Sequence, residues 1–405
     1  MELSNKTIVL GITGSIAAVR CVELVRELRR RGANVIAVMS KAATEIIQPT
    51  AMEFATNNPV ITGITGRVEH VALCAKADYP EVIGADLLLI APATANTIGK
   101  MAQGIDDTSV TTFATTAIGA GVPVVVVPAM HGAMYSNPFV KGNIDALKDA
   151  GITFVGPYMD EGKAKMAEER DIILQVERIL SGGQLKGKNV LITSGATAES
   201  IDPIRILTNR ASGRTGHELA LEAYRRGASV TIVHNGRLEV GTVADGNENE
   251  NYIHEVFVES ADEMFDGVMT ELEQGCDVFI SAAAISDYTL KRVDTKIRSG
   301  KGELSITLKP TRKLLDAVKT TYPNLTIVGF KAETGIDNNE LIRIGQVFKK
   351  RLGLNVVVAN EVGSGGIGEA ENEVFIIDDG VEHVSGNKYT IACAILDAVE
   401  GIIKH

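Results

Sequence analysis

The chain has 405 residues, which is too many for one ordinary hydrophobic core, so we expect two or three domains. Hydrophobic residues make up 45% of the chain and aromatic residues only 4%, so Val, Ile, Leu and Ala must fill the cores. That filling is typical of sheets covered by helices on both faces. The net charge of −11 disfavours nucleic acid and anionic membrane surfaces as partners.

The cysteines and the apolar segments favour a cytoplasmic protein. The four cysteines lie far apart without paired spacing, so we expect neither disulfides nor a structural zinc site. No apolar stretch reaches the roughly 18 residues of a membrane-spanning helix, and the chain opens directly into a strand pattern. We therefore expect localisation in the cytoplasm and no membrane partner.

The first half begins with a βαβ pattern. Residues 6–11 form a buried-strand pattern, and apolar positions from Val22 to Leu28 then follow helical spacing. The helix is predicted to end near Gly32, before a second strand at residues 35–38. This unit implies parallel strands joined by a right-handed crossover. Further strands are predicted at residues 86–91, 123–127 and 153–155.

The same plan starts again at residues 188–193, and its first helix is predicted to end at Gly227. Residues 181–184 have the Gly-rich composition of a linker, so we place the boundary between domains 1–184 and 185–405. Both halves are predicted to be three-layer α/β/α domains with mainly parallel sheets. Further strands of the second half are predicted at residues 229–233, 277–281, 326–330, 355–359 and 373–377.

A Gly-rich turn after the first strand predicts an anion site. Gly11, Gly14 and Ser15 lie where a strand passes into a helix, so free backbone amides and the helix dipole would meet a phosphate. The alternative is a tight turn without a ligand. Neither half has a complete G-x-G-x-x-G motif or an acidic residue at the end of its second strand, which disfavours a dinucleotide. The first site therefore suits a monophosphate.

Polar segments at residues 91–100, 104–109 and 127–135 follow strands of the first half, at the sheet edge where ligands gather. Together and in this order they resemble the flavin-containing cysteine decarboxylases, especially the phosphopantothenoylcysteine decarboxylases, over residues 6–170. The resemblance implies a flavodoxin-like fold and FMN bound at a trimer interface. In this family FMN transiently oxidises the substrate thiol, which makes loss of CO2 possible.

The resemblance also implies roles for individual residues. His70 matches the catalytic histidine and would act as acid and base. His131 stands where the family has an asparagine, and its imidazole would bind the substrate carboxylate. The residues expected to bind FMN are Gly14, Ser15, Ser40, Thr94, Asn96 and Ser109.

One departure from the family concerns proton transfer. Many relatives have a cysteine that helps to protonate the intermediate, whereas this chain has Met166 in that stretch, and methionine has no proton to give. Lys163, Lys165 and His131 are the alternative donors. If none of them serves, this half would bind FMN but decarboxylate slowly or not at all.

The second half has Gly and hydroxyl residues at residues 193–197 and 204–216, with Arg205, Arg210 and Arg214 nearby. This arrangement predicts a polyphosphate site, with a basic loop without a ligand as the alternative. Segments 281–288, 295–298, 308–311, 329–334 and 359–361 follow. The series resembles the bacterial-type phosphopantothenate–cysteine ligases over residues 188–400, and the order of the halves matches the bifunctional decarboxylase/ligase family.

This second resemblance implies that 4′-phosphopantothenate is activated by CTP as an acyl-cytidylate and then joined to L-cysteine. Lys296 would stabilise charge on the α-phosphate, and Asn209 would bind the acyl intermediate. Mg²⁺ would bind through phosphates and water rather than in a protein cage, so no metal-ligating residues are expected. Decarboxylase trimers and ligase dimers would together form a homo-oligomer, a dodecamer. The residues expected at CTP are Ala283, Asp287, Lys296 and Phe330.

Two other functions stay open at this point. A pyridine-nucleotide oxidoreductase is disfavoured by the missing acidic residues and by the absence of a Tyr-x-x-x-Lys pair. A non-catalytic flavin-binding protein is favoured only by Met166, and His70, Asn209 and Lys296 argue against it.

Overall fold

The computed structural model describes residues 3–75, 84–236, 253–298, 303–363 and 371–404. These residues divide into two compact units, one ending at Gly182 and the other beginning at Gly183. Within the described ranges, no helix is both long enough and apolar enough to cross a membrane.

The first unit is built on a five-stranded parallel sheet with the strand order β2-β1-β3-β4-β6. Strands β1, β3 and β4 are buried along their whole length because helices cover both faces. This is the strand order of flavodoxin-like folds, which confirms the predicted fold class. The strands are β1 (Thr7–Ile12), β2 (Asn34–Met39), β3 (Leu87–Ala93), β4 (Val124–Pro128) and β6 (Thr153–Phe154), with β5 (Met130–His131), β7 (Tyr158–Asp160) and β8 (Lys163–Lys165) in a small second sheet.

The helices of the first unit pack apolar faces onto this sheet. In the first of them the predicted residues Leu24, Val25 and Leu28 are buried, and Cys21 is buried where the pattern predicted Val22. A short 3-10 turn, Ile16–Arg20, precedes it. The helices are α1 (Cys21–Arg30), α2 (Lys41–Thr44), α3 (Pro49–Thr56), α4 (Glu69–Cys74), α5 (Ala95–Ala102), α6 (Ser109–Gly119), α7 (Gly132–Tyr135), α8 (Pro138–Asp149) and α9 (Glu169–Leu180).

The second unit is built on an eight-stranded sheet with the order β13-β12-β9-β14-β17-β18-β19-β20. The first six strands are parallel and have the Rossmann order 3-2-1-4-5-6, and an antiparallel hairpin closes one side. The strands are β9 (Asn189–Ser194), β10 (Ala198–Ser200), β11 (Ile206–Thr208), β12 (Ser229–His234), β13 (Ile253–Phe257), β14 (Val278–Ser281), β15 (Tyr288–Leu290), β16 (Leu308–Pro310), β17 (Thr326–Glu333), β18 (Val356–Glu361), β19 (Glu371–Ile377) and β20 (Val381–Asn387).

Helices cover this sheet on both faces, so both units have the predicted three-layer architecture. The sequence pattern does not predict β13 and β20, because these strands lie at the two edges of the sheet and alternate little between buried and exposed residues. The helices are α10 (Arg214–Arg225), α11 (Ala261–Glu273), α12 (Leu314–Thr321), α13 (Asn338–Leu352) and α14 (Lys388–Ile403).

Candidate functional sites

Hydrogen bonds join the carboxyl ends of β1 and β3 in the first unit. The Thr13 hydroxyl donates to the carbonyl of Pro92 at 2.6 Å and accepts from the backbone N–H of Thr94 at 3.1 Å. The strand order reverses between β1 and β3, and open α/β sheets bind ligands at such a position. Gly14 and Ser15 follow Thr13 directly, so two predicted FMN-binding segments are brought together here.

Gly14 lies where no larger residue fits. A methyl group on Gly14 would stand 2.5 Å from Cβ of Ala42 in α2, so the absence of a side chain lets the β1 loop approach the start of α2. The next residue, Ser15, accepts a hydrogen bond from the N–H of Ala17 with its Oγ at 3.4 Å. Its hydroxyl proton therefore remains available for a ligand.

Ser40 and Thr94 cap the N-termini of α2 and α5. The Ser40 Oγ accepts from the N–H of Ala43 at 3.3 Å, and the Thr94 Oγ1 accepts from the N–H of Thr97 at 3.4 Å. The Ser109 hydroxyl donates to the carbonyl of Met39 at 2.8 Å, so it holds α6 against the end of β2. Asn96 is exposed in the first turn of α5.

His70 lies in α4 and is half-buried. Its Nδ1 is buried and has no hydrogen-bond partner among the described residues. The ring packs edge-on against Phe113 of α6, with the ring centroids 6.3 Å apart. A buried nitrogen without a partner is costly, so it is suited to a group that arrives with a ligand.

His131 pairs with the segment around Lys163, which stands where the family has its cysteine. It pairs with Lys163 across β5 and β8, while the next residue, Gly132, donates its N–H to the carbonyl of Gly162 at 3.1 Å. His131 and Lys163 are both exposed. Met166 is only 1% exposed and thus belongs to the core of the unit.

Lys165 differs from the other two candidate proton donors because it forms an ion pair with Asp160. The hydrogen bond to Asp160 raises the pKa of Lys165, so its ammonium gives up a proton less readily. This favours His131 and Lys163 over Lys165.

The second unit contains a cavity of about 440 Å³ at the carboxyl edge of its sheet. Four of the predicted ligase residues line it, although they come from separate segments of the chain. The Asn209 Nδ2 donates to the carbonyl of Ala284 at 2.9 Å, which holds the loop before α10 against the loop after β14. The four residues are Asn209, Ala283, Asp287 and Phe330.

The first turn of α10 forms one end of this cavity. Gly213 precedes the helix with a φ of 83° and has no side chain to cap it, while the Ser212 Oγ accepts from the N–H of Arg214 at 3.5 Å. Thr215 and Gly216 line the cavity, and so does Arg214. This end of the cavity has the positive helix dipole that favours anions, and the polyphosphate site stays a prediction.

The other predicted arginines do not line this cavity. Arg205 donates to the Asp202 carboxylate at 2.6 Å and to the carbonyl of Ile297 at 3.1 Å, so it serves to hold the neighbouring segment. Arg210 is exposed and also lies outside the lining.

Lys296 lies outside the lining too, on an exposed segment anchored by Asp202. The backbone N–H of Ile297 donates to the Asp202 carboxylate at 3.1 Å. Burial alone would raise the pKa of Asp202, but hydrogen bonds from the N–H groups of Ile204, Ile297 and Arg205 lower that pKa to about 2. Asp202 therefore stays ionised and keeps the Lys296 segment against the loop after β10.

Asn360, from the predicted segment 359–361, also lines the cavity, as do Lys388 and Asn372, which the sequence does not indicate. Lys388 is the first residue of α14, far along the chain from the Gly-rich loops. No local motif marks it, so only the packing of α14 beside α10 reveals it. In the part of the chain that the structure describes, no group of three or more His, Cys, Asp or Glu side chains could hold a metal ion.

Comparison with known families agrees with this geometry. Residues 1–181 match the Flavoprotein family, and residues 185–402 match the DNA/pantothenate metabolism flavoprotein C-terminal domain. The chain is therefore a two-domain α/β flavoprotein with a C-terminal domain of that second family.

The relatives define the family more narrowly. The coenzyme A biosynthesis bifunctional protein CoaBC of Thermococcus kodakarensis is 48% identical over 93% of this chain and 90% of its own length. The CoaBC protein of Methanocaldococcus jannaschii is 36% identical over 99% and 95%, respectively. The chain belongs to this family of bifunctional coenzyme A biosynthesis proteins and is an enzyme with a ligase and a decarboxylase activity.

Two solved structures are also similar to parts of the chain. The C-terminal domain of a CoaBC protein is 28% identical, covers 55% of this chain and 98% of its own, and has a TM-score of 0.43. The FMN-binding protein AtHal3 is 27% identical, covers 42% of this chain and 95% of its own, and has a TM-score of 0.36.

Proposed function

We propose that the second unit (residues 185–405) joins 4′-phosphopantothenate to L-cysteine with CTP and that the first (residues 1–184) uses FMN to decarboxylate the product to 4′-phosphopantetheine. The observation that carries the proposal is the cavity in which Asn209, Ala283, Asp287 and Phe330 converge beside the N-terminus of α10. A site for an anion beside a lining of both apolar and polar side chains suits a phosphorylated acid and a nucleotide.

The residues of the first unit fit FMN. The hydroxyls of Ser15 and Ser40 accept backbone N–H groups and keep their own protons for the flavin phosphate. Gly14 lets the β1 loop approach the start of α2, because a side chain there would meet Ala42, and this brings Ser15 and Ser40 towards the same phosphate. Thr94, Asn96 and Ser109 come from the N-terminal ends of α5 and α6, where they would position the ring system. When bound, FMN supplies the transient oxidation of the substrate thiol that makes loss of CO2 possible.

His70 would transfer a proton at the substrate. Its Nδ1 is buried without a described partner, so a hydrogen bond to substrate would satisfy it. Packing against Phe113 fixes the orientation of the ring. A histidine can take up and release a proton near neutral pH, as a general acid and base must.

His131 and Lys163 would together take the place of the family's asparagine and cysteine. Their backbones pair across β5 and β8, so their side chains emerge close to one another. We assign carboxylate binding to His131. We assign protonation of the product to Lys163 or His131, since the hydrogen bond to Asp160 raises the pKa of Lys165.

In the ligase, Asn209 would hold the acyl group, and Ala283, Asp287 and Phe330 would frame the cytidine of CTP. Asp287 lines the cavity and forms an exposed ion pair with Lys313. Lys296 would reach the α-phosphate from the segment that Asp202 anchors. Mg²⁺ would be bound mainly through phosphate oxygens and water.

The proposal includes a cytoplasmic homo-oligomer, a dodecamer of decarboxylase trimers and ligase dimers. Exposed apolar side chains beside the FMN loop support such an interface, since Ile16 is 78% exposed and Val19 is 53% exposed. Analytical ultracentrifugation of the purified chain would give the number of subunits.

Two half-reactions test the proposal separately. With 4′-phosphopantothenate, CTP and Mg²⁺ but no cysteine, we expect pyrophosphate and an acyl-cytidylate by mass spectrometry. With synthetic 4′-phospho-N-pantothenoylcysteine alone, we expect CO2 and 4′-phosphopantetheine. Substituting Asn209→Ala should impair only the first assay and His70→Asn only the second. Failure of the unsubstituted protein in either assay would refute that half.

A further inference from the structure

Arg20 joins the loop after β1 to the segment in which the family has its cysteine. It is the last residue of the 3-10 turn Ile16–Arg20, which begins directly after Ser15. Its Nη1 donates to the carbonyl of Met166 at 3.0 Å, although the two residues lie 146 positions apart in the chain. One arginine thus connects the predicted flavin loop to the segment that stands where the family has its proton donor.

The start of α9 holds the guanidinium of Arg20 in one orientation. Its Nε and Nη2 donate to the two carboxylate oxygens of Glu169 at 2.9 and 2.8 Å, and Nη2 also donates to Glu168 at 3.1 Å. A two-pronged pair of this kind is stronger and more directional than a single ion pair. Burial alone would raise the pKa of Glu169, but the hydrogen bond from Arg20 lowers this pKa, so the carboxylate stays ionised.

This arrangement differs from the other arginine pairs of the neighbouring helix. Arg30, for example, is exposed and pairs with Glu27 inside α1, so its ion pair joins no distant parts of the chain and contributes little. The side chain of Arg20 is only 30% exposed, and one of its nitrogens bonds a backbone carbonyl. Loss of Arg20 would therefore free one segment from another.

The contact with Met166 bears on the candidate proton donors. Met166 follows β8 directly, so the hydrogen bond to its carbonyl restrains the end of that strand. β8 carries Lys163, whose backbone pairs with that of His131 in β5. Arg20 thus limits how far Lys163 and His131 can move relative to the loop after β1.

We propose that Arg20 is a positioning residue that couples flavin binding to the proton-donor segment, residues 163–166. When the phosphate of FMN orders the loop at Gly14 and Ser15, Arg20 transmits that order to Met166 and so to β8. The proposal rests on the proposed FMN-dependent decarboxylase function and deepens it. Arg20 acts through Met166 and not by contact with the reacting atoms.

Hydrogen exchange of the full chain, read by mass spectrometry, tests this coupling. The unsubstituted protein, Arg20→Gln and Arg20→Lys are each measured with the flavin removed and with saturating FMN added back. A charge-assisted hydrogen bond corresponds to about a 10-fold difference in local opening, so FMN should slow exchange in residues 163–169 of the unsubstituted protein by about that factor. We expect little slowing there in Arg20→Gln and an intermediate effect in Arg20→Lys. Exchange in residues 13–17 should slow in all three.

The matched control is Arg30→Gln, which should respond to FMN as the unsubstituted protein does. Glu169→Gln breaks the same pair from α9, so it should reproduce Arg20→Gln and replaces that variant if it does not fold.

Equal slowing by FMN in Arg20→Gln and in the unsubstituted protein would overturn the proposal. A purely structural role would also overturn it, and would appear as exchange in Arg20→Gln that is faster by the same factor with and without FMN. If FMN slows exchange in residues 13–17 of the unsubstituted protein but not in residues 163–169, the coupling is wrong and the flavin site stands. If FMN slows neither segment, the flavin site itself is refuted.

Discussion

Gly216 in the first turn of α10 lies so close to Ser194 at the end of β9 that a methyl group on Gly216 would stand 2.4 Å from the Ser194 Oγ. The same Oγ donates to the carbonyl of Gly213 at 2.9 Å. These two contacts set how closely the N-terminus of α10 approaches the sheet. They therefore determine where the α10 end of the cavity in the second unit lies.

Substituting Gly216→Ala should push α10 away from β9. We expect a loss of about 1 to 3 kcal/mol in the free energy of unfolding of the second unit and a large loss of ligase activity, because overpacking shifts the backbone. Decarboxylase activity should remain. Gly401→Ala in α14 is the control, since a methyl there meets no atom within 4 Å. Equal ligase rates in the two variants would contradict the prediction.

Gly14→Ala should reduce flavin binding. The added methyl group would stand 2.5 Å from Cβ of Ala42, which forces the β1 loop away from α2. We expect the purified variant to retain less flavin, measured as absorbance near the flavin bands relative to protein. Gly142→Ala in α8, where a methyl has open space, should bind flavin as the unsubstituted protein does. Full flavin content in Gly14→Ala would argue against the proposed phosphate position.

His70→Asn should stop decarboxylation without removing the flavin. General acid–base catalysis contributes about 10² to 10⁴ in rate, and we expect a loss in that range. The measurement is CO2 release from phosphopantothenoylcysteine, with flavin absorbance and ligase rate recorded on the same sample. The exposed His254 provides the control variant, His254→Asn. A His70 variant with a normal rate would remove this residue from the mechanism.

Asp202→Asn should impair the ligase through Lys296. An amide at this position cannot accept all the backbone N–H groups that the carboxylate accepts, including that of Ile297. The segment that carries Lys296 should then be less fixed. We expect a lower kcat for acyl-cytidylate formation, with the decarboxylase unchanged. If Asp202→Asn has normal ligase kinetics while Lys296→Gln does not, the anchoring role is wrong.

Asp171 should make the stability of the first unit depend on pH. Burial raises the pKa of Asp171 from 3.8 to about 6. The folded state therefore binds a proton on Asp171 more tightly than the unfolded state does. The stabilisation that comes from this proton binding is fully present below pH 3.8 and is lost as the pH rises through about 6. Asp171→Asn should raise the free energy of unfolding at pH 8 by about 1 to 3 kcal/mol and leave it almost unchanged at pH 4.

Urea unfolding at the two pH values measures this difference, with Asp145→Asn, an exposed site in α8, as the control. An equal effect of Asp171→Asn at pH 4 and pH 8 would show that the carboxyl is not protonated on folding.

The sequence predicts the central strands well because buried parallel strands are continuous apolar runs, as in β3 and β14. The edge strands β13 and β20 lack such runs and are not predicted. The resemblance to the ligases picks out Asn209 and Asp287, and the structure brings both to one cavity. Lys388 could not be found this way, since its place in the cavity lining depends on the packing of α14 beside α10 and not on a local motif.

For Lys296 the sequence motif and the structure disagree. Its motif places it at CTP, but the structure holds it on the Asp202-anchored segment outside the cavity lining. Its assignment to the α-phosphate stays a prediction.

The central claim is that one chain performs both steps, and mass spectrometry of a single reaction tests it most directly. The purified protein is incubated with 4′-phosphopantothenate, L-cysteine, CTP and Mg²⁺. We predict 4′-phosphopantetheine together with CMP and pyrophosphate. Accumulation of phosphopantothenoylcysteine without its decarboxylated product, or the absence of both, would contradict the account.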